Sequence, residues 1–251
     1  MTVKDVYDLI DAFAPFDSQA DFDHSGLQAG DFDAPVTGVV VAVDLTPAVI
    51  AECKALGANL IVTHHPAIWS PLAAVVQSDY TGRLIASLIR DDLNYIAAHT
   101  NVDKCAGGNS ERLVQSLGGE VTGRMDEDEY AVTFRMPPIR LSALLSLVRE
   151  RLDDATAYAV GRDDLITEGA LCTGAGASDE TVASCVQRGL VYLTGECKHH
   201  QLRYVEQNNG HLICFGHFTS EQIFVTIIIE ILQKAGVKAY ASCQKNPCVI
   251  G

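Results

Sequence analysis

The stretch Ile61-Val62-Thr63-His64-His65-Pro66 joins a short apolar run to two adjacent histidines. Its β-branched residues predict a buried strand, and Pro66 prevents the ladder from continuing because proline has no backbone N–H to donate. Neighbouring side chains of a strand point to opposite faces, but this alternation relaxes beyond the strand end. The two imidazoles can therefore converge on one centre or on two adjacent centres.

The segments on either side of this stretch alternate between strand and helix patterns. Upstream, we predict a strand at Thr37–Val43 and a helix at Pro47–Leu56. Downstream, we predict a helix near Arg83–Arg90 and a strand at Tyr95–Ala98. Such alternation is typical of a parallel sheet covered by helices. The predicted fold class is therefore α/β, with mixed, mostly parallel sheets.

The same strand–helix–strand order occurs twice in the chain. The first copy runs from Val39 to Thr63 and the second from Ala170 to Thr194, each with a helix start between its two strands. An acidic break around Met125–Glu129 separates the two halves. We therefore predict two related α/β domains. Residues 1–124 with 218–251 form the first, which carries most of the metal ligands, and residues 125–217 form the second.

The composition argues against several classes of protein. Lysine and arginine number 18 against 32 acidic residues, a net charge of −14, so we expect no nucleic-acid partner and no membrane partner. No run approaches the roughly 18 apolar residues of a membrane span, and Met1–Asp5 lacks the features of a signal peptide. The eight cysteines are scattered without a C-x-x-C pair, which favours reduced thiols in the cytoplasm.

Polar residues follow the predicted strands at four places, at the strand ends where open parallel sheets bind ligands. These places are His64-His65, His99 with Asp103, Gly195-Glu196, and His217 with Glu221. Imidazole and carboxylate groups suit zinc, iron, manganese or nickel, and a carboxylate can bridge two ions. Burying such groups uncompensated would cost several kcal/mol, so as a set they predict metal binding. The predicted ligands are His64, His65, Asp103, His217 and Glu221.

Several of these residues, and some polar residues near them, also have a simpler interpretation than metal binding. A single buried histidine such as His99 is more often hydrogen-bonded in a core than bound to metal. Glu221 is favoured at a helix start even without metal, because its charge complements the helix dipole. Asp44 is equally well explained as a turn residue, and His199-His200 as a solvated helix face or an interface. Cys105 lies in a Gly-rich loop, where a bystander thiol is favoured over a soft metal ligand.

Four co-linear motifs resemble the NIF-three-like family, from the first predicted helix to the last. They are Thr63-His64-His65-Pro66, then Ala98–Asp103 with Gly107-Gly108, then Thr194-Gly195-Glu196 with His199-His200, and Gly216-His217-x-x-Ser220-Glu221. Two loops depart from the family pattern. Asp23-His24-Ser25-Gly26-Leu27 stands where relatives commonly have Asp-Asn-x-Gly-Leu, and Lys104–Gly108 replaces a run of small residues and proline.

Members of this family are dinuclear-metal proteins, and many are labelled type 2 homologues of GTP cyclohydrolase I. The resemblance implies two divalent ions per subunit and a toroidal homohexamer built as a trimer of dimers. It implies the same five ligands, with Asp103 and Glu221 as bridges, and it puts His99 beside the metals as a candidate proton carrier. The choice among Zn, Fe, Mn and Ni stays open because these ligands suit all four.

Two classes of function remain open. The first is a metal-dependent hydrolase in which a bridging hydroxide attacks a small-molecule substrate while His99 or His200 transfers protons. The family label implies GTP, but the sequence has no phosphate-binding fingerprint, and Lys104, Lys198 and Arg203 are the cations nearest the motifs. The second is a non-catalytic metal-binding scaffold or metal-handling protein. A nucleic-acid clamp is disfavoured by the net charge.

Overall fold

The computed structural model describes residues 1–125 and 129–248, which form two compact units. Unit 1 consists of Met1–Gly108 and Phe224–Lys245. Unit 2 consists of Asn109–Ile223 and the described residues after Lys245. The sequence pattern placed the domain boundaries after residues 124 and 217, and residues 126–128 of the acidic break lie outside the described residues.

Unit 1 contains a five-stranded mixed sheet. Its spatial order is β1 (Gly26–Ala29), β4 (Asn94–Ala97), β3 (Leu60–Thr63), β2 (Val39–Ala42) and β11 (Ala239–Ala241). All neighbours are parallel except β1, which runs antiparallel to β4. Its helices are α1 (Val3–Phe13), α2 (Pro47–Ala55), α3 (Tyr80–Arg90) and α4 (Thr100–Lys104), with a 3-10 turn at Phe16–Ser18. Every residue of β2, β3 and β4 is buried, which explains why these strands are apolar except at Thr63 and Asn94.

Unit 2 contains a six-stranded mixed sheet. Its spatial order is β5 (Glu120–Arg124), β6 (Val132–Arg140), β8 (Leu165–Cys172), β9 (Val191–Thr194), β10 (His211–Cys214) and β7 (Tyr158–Val160). The central strands β8, β9 and β10 are parallel, and the outer pairings are antiparallel. Its helices are α5 (Asn109–Ser116), α6 (Leu141–Leu152), α7 (Asp179–Arg188) and α8 (His199–Gln207). Because β5 pairs with β6, the first strand of this sheet comes before the acidic break in the sequence.

The last helix, α9 (His217–Lys234), begins in unit 2 and continues in unit 1 from Phe224. The apolar pattern of the sequence predicts a terminal helix at Gln222–Ala235. The helix begins earlier, at His217, and the Ser220 N–H donates to the Gly216 carbonyl at 2.9 Å. His217 and Glu221 are therefore one helical turn apart and lie on the same face. Phe224, Ile228 and Leu232 follow at intervals of about one helical turn, and all three are fully buried.

Both copies of the strand–helix–strand unit contain a pair of parallel strands. In unit 1, α2 connects parallel strands whose last paired residues are Ala42 and Thr63, and in unit 2, α7 connects strands ending at Cys172 and Thr194. Both helices begin with a hydroxyl N-cap, Thr46 or Ser178, that accepts a backbone hydrogen bond. The α/β fold class with mixed, mostly parallel sheets is confirmed. Among the helices of the described residues, none has the length and apolar character that a bilayer span requires.

Candidate metal centre

The backbone of β3 positions the adjacent histidines. Beyond Thr63, the ladder with β2 continues for two residues, since the His64 N–H donates to Ala42 O at 3.2 Å and the His65 N–H to Val43 O at 2.9 Å. The Thr63 hydroxyl then donates to the His65 carbonyl at 2.7 Å, and the Tyr95 hydroxyl donates to the same carbonyl at 2.9 Å. These bonds hold the strand end in place, with His64 fully buried and His65 partly exposed.

His99 joins the pair from the neighbouring strand. It lies just beyond β4 at the N-cap position of α4, and its N–H donates to the Ser25 hydroxyl at 2.9 Å. The ring centroids of His64 and His65 are 5.1 Å apart, and those of His64 and His99 are 4.9 Å apart. One nitrogen from each of these three rings lies within 4.8 Å of the other two. Three imidazole nitrogens grouped in this way could hold one divalent ion.

Asp103 adds a carboxylate to the three imidazoles. It lies on α4, and its Oδ2 is 3.6 Å from Nε2 of the buried His64. The Asp103 N–H donates to the His99 carbonyl at 3.2 Å, so the short helix fixes the spacing of these two side chains. Of the residues predicted from sequence, the structure thus brings four together in unit 1. We call them the unit 1 donor set: His64, His65, His99 and Asp103.

Two of these imidazoles are oriented through their Nδ1 atoms. Nδ1 of His64 lies 3.1 Å from the Ala98 carbonyl, and Nδ1 of His65 lies 2.8 Å from Oδ1 of Asp44. A histidine that donates from Nδ1 presents its Nε2 lone pair for coordination, and such partners raise ligand basicity. Asp44, which the sequence left as a possible turn residue, therefore has a definite contact with a predicted ligand.

His99 has an ionised partner of its own. Its Nδ1 lies 3.2 Å from Oδ1 of the buried Asp23, whose other oxygen accepts bonds from the N–H and hydroxyl of Thr100. Burial acts to raise the pKa of Asp23, but the adjacent His99 ring and the hydrogen bonds from Thr100 outweigh it and hold that pKa well below its usual range. Asp23 thus stays charged beside Nδ1 of His99. The sequence showed this loop only as a departure from the family pattern.

Unit 2 contains the remaining two predicted ligands. On the first turns of α9, Nε2 of His217 lies 3.1 Å from Oε2 of Glu221, and Nδ1 of His217 lies 2.7 Å from Oε1 of Glu196. Glu221 is only 4% exposed although it is a carboxylate. Glu196, which follows β9, therefore orients His217 as Asp44 orients His65. We call His217 and Glu221 the unit 2 donor set.

A glycine that the sequence pattern did not single out lies against the unit 2 donor set. Gly174 has a φ of +64°, and a Cβ added there would lie 2.2 Å from Oε1 of Glu221 and 3.4 Å from Nε2 of His217. Its N–H donates to the Ser220 hydroxyl at 2.9 Å. Both the backbone angle and the lack of space require glycine. The only sequence signal was a glycine directly after a strand.

His200, the second predicted proton carrier, has different surroundings. Its Nε2 lies 2.9 Å from Oδ1 of Asp179, and the same oxygen accepts a hydrogen bond from Gln201 at 2.7 Å. The His200 hydrogen bond, followed by that of Gln201, holds the pKa of Asp179 below its usual value. With 61% of its side chain exposed, His200 links α8 to α7 at the surface of unit 2. Its role in proton transfer stays a prediction.

The donor sets suit a divalent first-row ion. Imidazole nitrogens and carboxylate oxygens are its usual ligands, and buried groups such as His64 and Glu221 are costly to desolvate unless a counter-charge or hydrogen bonds compensate them. The fold and these groups define a class of protein: a two-unit α/β protein with imidazole and carboxylate donors at strand ends. The chain belongs to the Duf34/NIF3 (NGG1p interacting factor 3) family, whose model matches residues 1–247.

Individual relatives agree with this assignment over nearly the whole chain. A Clostridium perfringens protein named GTP cyclohydrolase 1 type 2 homolog is 29% identical over 242 residues, 93% of this chain and 91% of that protein. A Lactococcus lactis protein of the same name is 30% identical over 261 residues, 98% of each chain. The crystal structure of a Bacillus cereus protein related to NIF3 matches with a TM-score of 0.88 at 20% identity, covering 100% of this chain and 99% of that one. The last comparison establishes the fold alone.

Proposed function

We propose that this protein is a metal-dependent hydrolase that binds two divalent ions per subunit. The ligands in this proposal are His64, His65, Asp103, His217 and Glu221. The observation that carries it is the close approach of proposed ligands in unit 1, where Oδ2 of Asp103 is 3.6 Å from Nε2 of His64 and the ring centroids of His64 and His65 are 5.1 Å apart. Family membership supports it further. When bound, such ions acidify water and polarise the bond under attack.

The proposed proton carrier is His99. Asp23 lies 3.2 Å from its Nδ1 and remains ionised, which fixes the orientation of the ring. The ring also lies beside those of His64 and His65, so a proton on it would be close to the reacting groups. A positioned acid or base of this kind contributes about 10²–10⁴-fold to a hydrolytic rate. His200, held by Asp179, is the second candidate for this role.

The names of the relatives make GTP the first substrate to test. Proteins from Clostridium perfringens and Lactococcus lactis both carry the name GTP cyclohydrolase 1 type 2 homolog. We therefore propose a cyclohydrolase-type reaction on a nucleotide, assayed with GTP in each metal-loaded form. The chain's net charge of −14 makes the bound cations the natural counter-charge for a triphosphate.

The experiment combines metal analysis with turnover. We expect about two ions per wild-type subunit, a loss of metal in His65→Ala, and full metal with a rate lowered about 10²–10⁴-fold in His99→Gln. His199→Gln, a change at an exposed histidine, is the matched control for both measurements. Metal content near zero in the wild type would contradict the proposal. Full metal without GTP turnover would reject the cyclohydrolase activity and favour a metal-handling protein.

We also propose a homohexamer, arranged as a trimer of dimers. Its support is the family assignment over residues 1–247. Light scattering of the purified protein tests it, with an expected mass of six times the 27.0 kDa subunit. A stable monomer or dimer across the concentration range would reject this assembly without affecting the metal ligands.

A further inference from the structure

Trp69 lies beside the unit 1 donor set on the segment that follows His65. Its ring centroid is 5.2 Å from that of His99, and the two ring planes are at 87°. Despite this contact, 47% of the tryptophan remains exposed. A large aromatic side chain held half in solvent forgoes part of the free energy that its burial would supply, so its place next to polar donors calls for a ligand.

The position of Trp69 is fixed by the residues before it. The Ile68 N–H donates to Gln28 Oε1 at 3.0 Å, and Gln28 Nε2 donates back to the Ile68 carbonyl at 3.1 Å. The Ala67 N–H donates to the Tyr95 hydroxyl at 3.0 Å. These bonds connect the segment to β1 and β4, the strands on the His99 side of the sheet. The backbone leading to the indole is therefore held in place, which lowers the entropic cost of binding a ligand against Trp69.

We infer that Trp69 is the stacking platform for a planar heteroaromatic substrate such as a nucleobase. The inference deepens the proposed function, on which it rests, by naming the residue that would bind the planar ring of the substrate at the same site. Stacking on an aromatic side chain contributes about 1–3 kcal/mol per base. A base stacked on Trp69 would lie next to His99, which brings its ring atoms within reach of the proposed proton carrier.

A second copy of the chain is the competing occupant of this surface. Leu72, Val75 and Val76 are also exposed on the segment after Trp69, and a subunit interface could bury all of them together. Trp69 differs from these residues because it contacts a donor imidazole. A ligand bound at the unit 1 donor set would therefore contact the indole. This contact favours the substrate over a second subunit as the occupant of the surface around Trp69.

The test uses the fact that Trp69 is the chain's one tryptophan, so intrinsic fluorescence reports on this position alone. Metal-loaded full-length protein is titrated with GTP, with guanosine and with ribose 5-phosphate. We expect saturable quenching by GTP and guanosine and none by ribose 5-phosphate. In equilibrium dialysis, Trp69→Leu should weaken guanosine binding about 5- to 150-fold, the equivalent of one stacked base. Trp69→Phe keeps a ring and should retain most of the affinity.

The outcomes separate this inference from the proposed function. Saturable quenching by guanosine without any GTP hydrolysis would support the stacking platform and reject the proposed hydrolysis of GTP. Hydrolysis of GTP with unchanged guanosine affinity in Trp69→Leu would reject the platform and keep the hydrolase. Emission that depends on protein concentration, with no response to guanosine, would assign Trp69 to a subunit interface and overturn the inference.

Discussion

Gly174 shows how one backbone position controls a predicted ligand. We expect Gly174→Ala to displace Glu221, because the new Cβ would lie 2.2 Å from its Oε1. Metal content should fall while the protein stays folded. Gly189→Ala is the matched control, since Gly189 has a similar φ of +69° but nothing within 4 Å of an added Cβ. Both variants should lose about 1–2 kcal/mol from the left-handed backbone, measured by urea unfolding. Equal metal content in the two variants would contradict the role of Gly174.

Asp44 provides a second test at the residue scale. Its Oδ1 accepts from Nδ1 of His65 at 2.8 Å, so Asp44→Asn should lower metal affinity about 10- to 100-fold by weakening the orienting bond. Competition with a chelator measures this change. Asp164→Asn is the control, because Asp164 makes a similar contact with His211, 3.1 Å from Nε2, but outside both donor sets. Equal chelator resistance in Asp44→Asn and the wild type would show that His65 needs no such partner.

The sequence identified the donors more easily than the groups that orient them. His64, His65 and His99 follow predicted parallel strands, and because such strands end at one edge of a sheet, their side chains could be expected to lie close together. Asp23 could not be recognised, because its contact with His99 joins residues far apart in the chain through a loop without periodicity. Trp69 could be placed in a loop, but its approach to His99 depends on the hydrogen bonds between Gln28 and Ile68.

At the scale of elements, Glu52 on α2 holds the chain after β11. It accepts hydrogen bonds from the Ser242 hydroxyl and from the Cys243 N–H at 2.9 Å. Burial acts to raise the pKa of Glu52, but these bonds outweigh it and hold that pKa below its usual value. The stabilisation is therefore complete above the unfolded pKa of about 4.3 and is lost as the pH falls through the lower folded value.

We therefore expect Glu52→Gln to loosen the chain from Ala239 onward by about 0.5–1 kcal/mol at neutral pH, because solvent screens this partly exposed group. Hydrogen exchange of the β11 amides, corrected for intrinsic rates, measures the effect. The difference between wild type and variant should shrink below pH 4, as the wild-type carboxylate becomes protonated. Ser242→Ala, which removes one of the donors, should give a smaller change. A difference independent of pH would rule out the carboxylate as its origin.

The elements that the sequence missed are short or polar. Strand β1 consists of Gly26-Leu27-Gln28-Ala29. Its glycine and its glutamine leave no clear alternation of apolar and polar residues, which is the pattern that predicts a strand. Strand β11 has only three residues and forms by pairing with β2, a partner distant in sequence. Longer helical segments are easier to predict: the sequence pattern predicts helices at Leu141–Leu152 and Asp179–Arg188, and α6 and α7 have these same bounds. Local sequence patterns thus predict the helices well. Strands β1 and β11 form through pairing with strands distant in sequence, which a local pattern does not show.

At the scale of the whole molecule, the two units differ in how the chain builds them. All six strands of unit 2 lie within Asn109–Ile223, whereas unit 1 takes β11 and most of α9 from the far end of the chain. Phe224, Ile228 and Leu232 are fully buried. Burial of three such side chains supplies about 5–9 kcal/mol, comparable with the total stability of a typical domain.

The isolated segment 109–223 should therefore fold alone, and the segment 1–108 should not. We expect 109–223 to show a single cooperative urea transition by circular dichroism, and 1–108 to lack one because β2 and His64 lose their C-terminal partners. Adding a peptide of residues 224–245 should restore a cooperative transition to 1–108. Restoration by this peptide, but not by a version with Phe224→Ala, would place the deficit in the buried face of α9. A cooperative transition in 1–108 alone would instead show that its sheet is stable without the C-terminal segment.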